Sequence, residues 1–398
     1  MSSRTWLLVL LVITLEWRVP TMFRVKRTGW DEHAYVVFAQ TLSAHAVTGI
    51  RQWLHDYPTN ENLRKSPPML RVGFLVPAML TCQALGGFTA DNLAWLSFVS
   101  GVALVLLGAR FAENLAGRRM SIFCGILLVS SPLAAAISRR ALQDGYAALL
   151  MLAALYFFDC CWRGRSIVDL VLLGVSLCLA LLTKEAAALL YLIMAVAAAY
   201  YFKAMRLRPS PGLLLPLIAA PLIYLGIEVA ICGGIADFLR TYRTYASIQQ
   251  TLGYTVQNEK GPWFRYLFDF FAIAPLVFMA GMVGFSNASA ESFRHGRNLA
   301  LIYFASAILS FSQMPVINVR LVLFADMFLR FAAALGIVYL AGRFNGGWSR
   351  RVLYGGLALL VVTDIFQFYQ LFVLGDIYNP TTFLLLRAEG FYGLHPGD

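Results

Sequence analysis

The sequence predicts an all-α, polytopic membrane protein of about eleven transmembrane helices, with two juxtamembrane helices in its first outer loop. Three observations carry that prediction. Of 398 residues, 59% are hydrophobic and 13% charged, with a mean hydropathy of +0.68; soluble domains have about 45–50% apolar and about 25% charged residues. The apolar runs are continuous rather than alternating, which excludes a β-barrel. Arginines collect in every second interhelical loop, as the positive-inside rule requires. The composition also excludes a soluble enzyme, a disordered chain and a fibrous one.

The elements follow in chain order. The run from Trp6 to Leu15 is short, sits next to Arg4 and lacks a small-residue cleavage site, so it reads as a retained first helix extending toward Phe23 rather than a signal peptide. Ten further spans are predicted near 91–112, 120–138, 145–162, 167–182, 186–203, 212–232, 266–285, 299–312, 321–341 and 352–374. With the N-terminus inside, the inner loops hold Arg110, Arg118 and Arg119; Arg163 and Arg165; Lys203, Arg206 and Arg208; Arg294 and Arg297; and Arg343, Arg350 and Arg351. The segment 67–88 is apolar and long enough to span, but spanning would move every arginine-rich loop outside. It is therefore placed in the outer interface. Residues 31–54 form the second interfacial helix, with apolar residues at helical spacing. The chain thus divides into 1–232, whose first outer loop covers about 24–90, a polar and aromatic outer loop at 233–265, and C-terminal helices over 266–398.

The net charge of +11 fits loop arginines at a membrane surface better than nucleic-acid binding. The six cysteines, Cys82, Cys124, Cys160, Cys161, Cys178 and Cys232, all lie in apolar stretches and form no CxxC, so neither a disulfide framework nor a zinc site is expected. His33, His45 and His55 share the first outer loop without a zinc spacing. No cofactor is expected, and a divalent metal is possible but not indicated. The sequon Asn287-Ala288-Ser289 falls on the inner side and is discounted.

Ionisable residues at span ends converge on the outer side: Asp31 and Glu32, then Arg139, Arg140 and Asp144, then Lys184 and Glu185, then Arg320. Each has a structural reading of its own. Asp31, Glu32 and Asp144 suit helix N-termini; Arg139, Arg140 and Arg320 suit snorkelling anchors; Lys184 and Glu185 suit a self-satisfied pair. Their convergence is what favours chemistry, because charges beside spans are costly. A carboxylate just outside the bilayer can serve as general base, and nearby cations can hold a phosphate. Sugar transfer from a polyprenyl phosphate fits this pattern. So do phosphate transfer and lipid flipping.

Several motifs, in order, resemble the GT-C glycosyltransferases, in the branch of protein O-mannosyltransferases, aminoarabinose transferases and rhizobial lipopolysaccharide sugar transferases. GWDEHAYVVFAQ (29–40) resembles the acidic motif of the first outer loop, and KSPPMLRVGFLVPAMLTCQALGG (65–87) the "PPL" segment. LAGRRMSIFCGILLVSSPLAAAISRRALQDGYAALL (115–150) resembles the Gly-Arg loop, the "SP" helix end and the Arg-to-Asp motif. LCLALLTKEAAALL (177–190) resembles the "LTK" segment, and INVRLVLFADMFLRFAAAL (317–335) the later "RY" segment.

The resemblance implies the GT-C fold, with 1–232 as the catalytic module. It implies a membrane glycosyltransferase that moves a sugar from a polyprenyl-phosphate donor to a glycan, lipid or protein acceptor on the outer face, without nucleic acid. By position, Asp31 matches the catalytic base, Glu32 is its neighbour and fallback, Asp144 matches the second acid and Lys184 the "LTK" lysine. Arg139, Arg140, Lys184, Arg320 and Lys65 are the candidates for donor phosphate. A bacterial plasma membrane, with the site periplasmic, is the expected location. Two departures stand out: Arg320 is followed by Leu321 rather than Tyr, and Lys65-Ser66 replaces the acidic-basic pair of the aminoarabinose branch, which argues against that sugar. The competing function is a transporter or flippase for a lipid-linked sugar, which predicts internal symmetry and broken helices at mid-depth.

Overall fold

A computed structural model describes residues 3–27, 29–164, 166–251, 255–287 and 291–388; Ala288 and Ser289 of the sequon and the last ten residues of the C-terminal segment lie outside them. The described chain is helical, and it is a multi-pass membrane protein. The helices are α1 (Ser3–Met22), α2 (Trp30–Asp56), α3 (Val72–Ala84), α4 (Ala90–Ala116), α5 (Arg118–Val129), α6 (Pro132–Ser138), α7 (Asp144–Trp162), α8 (Ile167–Thr183) and α9 (Leu190–Lys203). There follow α10 (Leu214–Cys232), α11 (Ile235–Thr251), α12 (Arg265–Ile273), α13 (Pro275–Ser286), α14 (Glu291–Phe311), α15 (Asp326–Ala341), α16 (Gly347–Gln367) and α17 (Thr382–Ala388).

Every predicted span is helical, with differences that have local causes. Among the described residues, seven helices or helix runs are long and apolar enough to cross a membrane, and α5 with α6 makes an eighth, bent by 57°. The predicted span 120–138 is thus a broken one. Ser131 caps α6, its side chain accepting from Ala134 N at 3.1 Å, and Pro132 opens that helix; proline at N1 restarts a helix that the preceding residues have ended. The span at 266–285 likewise divides at Ala274, before Pro275. Helix α8 is 17 residues long and α14 carries its charges in its first two turns. The interfacial helix expected over 31–54 kinks at Ala46, where φ is +49°. The segment 233–265, read as loop, is largely the helix α11, of which only Thr241 is buried.

Charges inside the bundle explain how the broken span is held. Arg330 donates to Asp326 at 2.8 Å, to Asp364 at 2.5 Å and to the Leu127 carbonyl at 2.7 Å. Ser131 donates to Asp326 at 2.6 Å and Ser130 to Asp364 at 3.1 Å. Arg18 donates to the carbonyls of Leu128, at 3.0 Å, and Gly101, at 3.2 Å. All four charged groups are buried. A helix end leaves carbonyls without intrahelical partners, and here two arginines take them, one from α1 and one from α15.

The two ends of the bundle are distinct. At one, Ser3 donates to Glu113 at 2.7 Å, Gly296 packs on the Leu115 backbone, and Tyr200 meets His295 at 3.1 Å. Gly117, at φ +79°, turns the chain there between α4 and α5. At the other end, α2 and α3 lie on α4 through a cluster that includes Tyr35, Phe38, Leu54, Phe74 and Leu93. That second end carries the cavity.

Candidate active site

A cavity of about 670 Å³ opens at this end. Its walls come from the start of α2 (Gly29, Trp30, Asp31), the segment 64–71, the 142–144 turn, the α8–α9 junction (184–186), α11, and the segments 314–321 and 378–379. Residues far apart in sequence meet here because successive spans return their ends to the same face.

The cationic part of the cavity centres on Asp144, the first residue of α7. Lys184, at the C-terminal end of α8, donates to its carboxylate at 2.5 Å, and an Arg320 nitrogen lies 3.8 Å from the other oxygen. The three side chains are buried or nearly so. Two cations sharing one carboxylate leave one positive charge over. The Nε and Nη1 of Arg320 are buried without a hydrogen-bond partner among the described residues, although buried donors are almost always satisfied. Asp144, Lys184 and Arg320 were all legible as candidates; their mutual pairing was not.

Four carboxylates line the cavity: Asp31, Asp144, Glu185 and Glu259. Asp144 is paired as above, Glu185 with Arg71 at 3.4 Å, and Glu259 accepts from asparagine amides. Asp31 is half-buried and has neither a hydrogen bond nor an ion pair among the described residues. Its neighbour takes the structural role. Glu32 is fully buried and accepts from Gly29 N and Ala141 N, both at 3.0 Å, so it ties the start of α2 to the turn before α7. Burial raises the Glu32 carboxyl above the ordinary glutamate range, against the pull of those two amides and of Arg140. Glu32 is not part of the cavity wall.

Arg139 and Arg140 lie behind the wall rather than in it. Arg139 donates to the Phe372 carbonyl and lies 5.0 Å over the Phe368 ring. Arg140 donates to Lys26 O at 2.8 Å and to Asp376 at 3.3 Å, and stacks at 4.9 Å on Tyr378. Both contact neighbouring segments, and neither lines the cavity. The side chain of Lys65 lies outside the described residues. His33, His45 and His55 are exposed, and no group of three or more metal-ligating side chains occurs among the described residues.

Several cavity residues were missed by sequence reasoning. Arg71 donates to Tyr35 at 2.6 Å and to Tyr245 of α11 at 3.0 Å. With its amide turned to suit its neighbours, Gln143 accepts from Arg71 at 2.8 Å and donates to the Thr183 carbonyl at 2.9 Å. The signal was present: an arginine inside an apolar segment is costly and marks function by default. Tyr378 gave no such signal. Gly29 does: a Cβ there would sit 2.3 Å from the Tyr378 ring.

Gly73 lets α3 reach α8. A Cβ on it would lie 2.8 Å from Leu182 Cβ and 2.9 Å from the Leu182–Thr183 backbone, next to Lys184. Gly73→Val is expected to cost about 1–3 kcal/mol through overpacking, read as a lower midpoint in thermal unfolding of the purified protein. An unchanged midpoint would show that α3 yields freely there.

A family model described as dolichyl-phosphate-mannose-protein mannosyltransferase matches residues 71–225, from the cavity arginine into α10. No protein of curated function matches the chain by sequence. Among solved structures, ArnT from Cupriavidus metallidurans in the apo state has a TM-score of 0.55 at 15% identity, covering 98% of this chain and 78% of that one. The same protein bound to undecaprenyl phosphate gives 0.51 at 17%, over 98% and 79%. The apo oligosaccharyltransferase of Archaeoglobus fulgidus gives 0.58 at 12%, over 92% of this chain and 55% of that one, so the chain spans about half of its length. This likeness establishes the fold as that of the GT-C membrane glycosyltransferases.

Proposed function

We propose that the chain transfers a sugar from a polyprenyl-phosphate carrier to an acceptor hydroxyl at the cavity end of the bundle. The observation that carries this reading is the pairing, in one cavity, of an unengaged carboxylate with an under-neutralised cation cradle. Asp31 takes the acceptor proton. The acceptor oxygen attacks the anomeric carbon, the bond from that carbon to the phosphate oxygen breaks, and the electron pair leaves with the phosphate. Lys184 and Arg320 stabilise the charge that develops there. A phosphate leaves without a strong general acid, so a base and a cradle suffice. The ArnT neighbour bound to undecaprenyl phosphate and the family match support a lipid-phosphate donor. The acceptor is a glycan, a lipid or a protein, and the membrane a bacterial plasma membrane with the cavity outward.

The test is turnover of labelled polyprenyl-phosphate sugars by the purified protein in lipid, with a membrane extract as acceptor source. Label should move to acceptor. Label that instead crossed the bilayer of a vesicle unchanged would establish a flippase. Arg320→Ala should weaken binding of undecaprenyl phosphate by about ten- to a hundredfold, the worth of a charge-assisted hydrogen bond. Unaltered affinity would remove Arg320 from the cradle.

A further inference from the structure

We infer that Glu259, Asn318 and Asn379 form a subsite that reads the hydroxyls of the transferred sugar; the inference rests on the carrier reading above. Glu259 lies on the cavity wall, 8% exposed. Its Oε1 accepts from the amides of Asn318 and Asn379, both at 3.1 Å, and its Oε2 from Thr255 at 3.3 Å. Asn318 also donates to the Asn379 carbonyl at 2.5 Å. No cation pairs with this carboxylate among the described residues. An ionised carboxylate has about four acceptor sites, so three neutral donors leave it able to accept one more hydrogen bond.

Position assigns the ligand. Asn318 is two residues from Arg320, and its side-chain oxygen accepts from Arg320 N at 3.1 Å. The Ile317 amide donates to the Glu259 carbonyl at 2.7 Å, so the cluster and the phosphate cradle are parts of one scaffold. A phosphate on Arg320 places its esterified group beside Asn318. The Tyr378 hydroxyl, next in chain to Asn379, is buried with no partner among the described residues, and it adds a hydrogen-bonding group to the same wall. A polyhydroxylated ring supplies both donors and acceptors to such a surface.

The full chain in lipid nanodiscs tests this by direct binding. The probes are undecaprenyl methyl phosphate and undecaprenyl phosphodiesters of glucose, mannose, galactose and aminoarabinose. All contain the same phosphodiester charge; only the last adds an ammonium. Wild type should bind at least one sugar diester about tenfold or more tighter than the methyl diester. Glu259→Gln and Asn379→Leu should remove that preference and retain the methyl-diester affinity, which also certifies folding. Equal binding of all diesters by the wild type would overturn the inference alone. So would a preference that survives both substitutions. Failure of every diester to bind would overturn the carrier reading and this inference with it.

Discussion

Asp31→Asn is expected to lower turnover by roughly 10²–10⁴-fold, the usual contribution of a positioned general base. The substitution keeps size and shape but removes the ability to take a proton. It should leave donor binding intact, because Asp31 is not in contact with Lys184 or Arg320 as an ion pair. Stability should also hold, since no hydrogen bond is lost among the described residues. Glu32→Gln makes the contrast: its carboxylate ties Gly29 to Ala141, so its loss should appear first in stability. Full activity of Asp31→Asn, measured as label transferred per minute, would end the base assignment.

Arg330→Met is expected to be the most damaging single change to stability, by about 3–5 kcal/mol. It removes the partner of two buried aspartates, Asp326 and Asp364, and frees the Leu127 carbonyl at the α5–α6 break. Breaking a buried pair strands a charge, whereas replacing the whole group strands none. The triple variant Arg330→Met, Asp326→Leu, Asp364→Leu should therefore recover much of the lost stability. Thermal aggregation of detergent-solubilised protein would compare the three forms. A single variant as stable as wild type would mean that the network does not hold the break.

How much was legible depends on which interaction decides each feature. Spans were legible because hydrophobicity is carried locally along the chain. The breaks at Ser130-Ser131 and Ala274 were visible only as prolines, since what holds the first of them is Arg18 from α1 and Arg330 from α15, distant in sequence. Asp31, Asp144, Lys184 and Arg320 stood out because each sits at a span end where charge is conspicuous, and one cavity brings them together. Arg139 and Arg140 were conspicuous in the same way and lie outside the cavity lining. Nothing along the chain separates an arginine facing a cavity from one facing the carbonyl of a distant segment. Glu259, Asn318 and Asn379 were missed because an outer loop shows no cost for polar residues until it folds over a site.

The charge left over when Lys184 and Arg320 share Asp144 bears on the end of the reaction cycle. On the reading proposed above, a phosphodiester donor would bring one negative charge to this triad. The monoester that remains once the sugar has gone carries about −1.5 to −2 at neutral pH, its second ionisation lying near pH 6. The spent carrier would then be held harder than the fresh one. Catalysis on such a cradle would be throttled by the departure of its own by-product, and the rate would rise with whatever process clears bare lipid phosphate from the surrounding membrane.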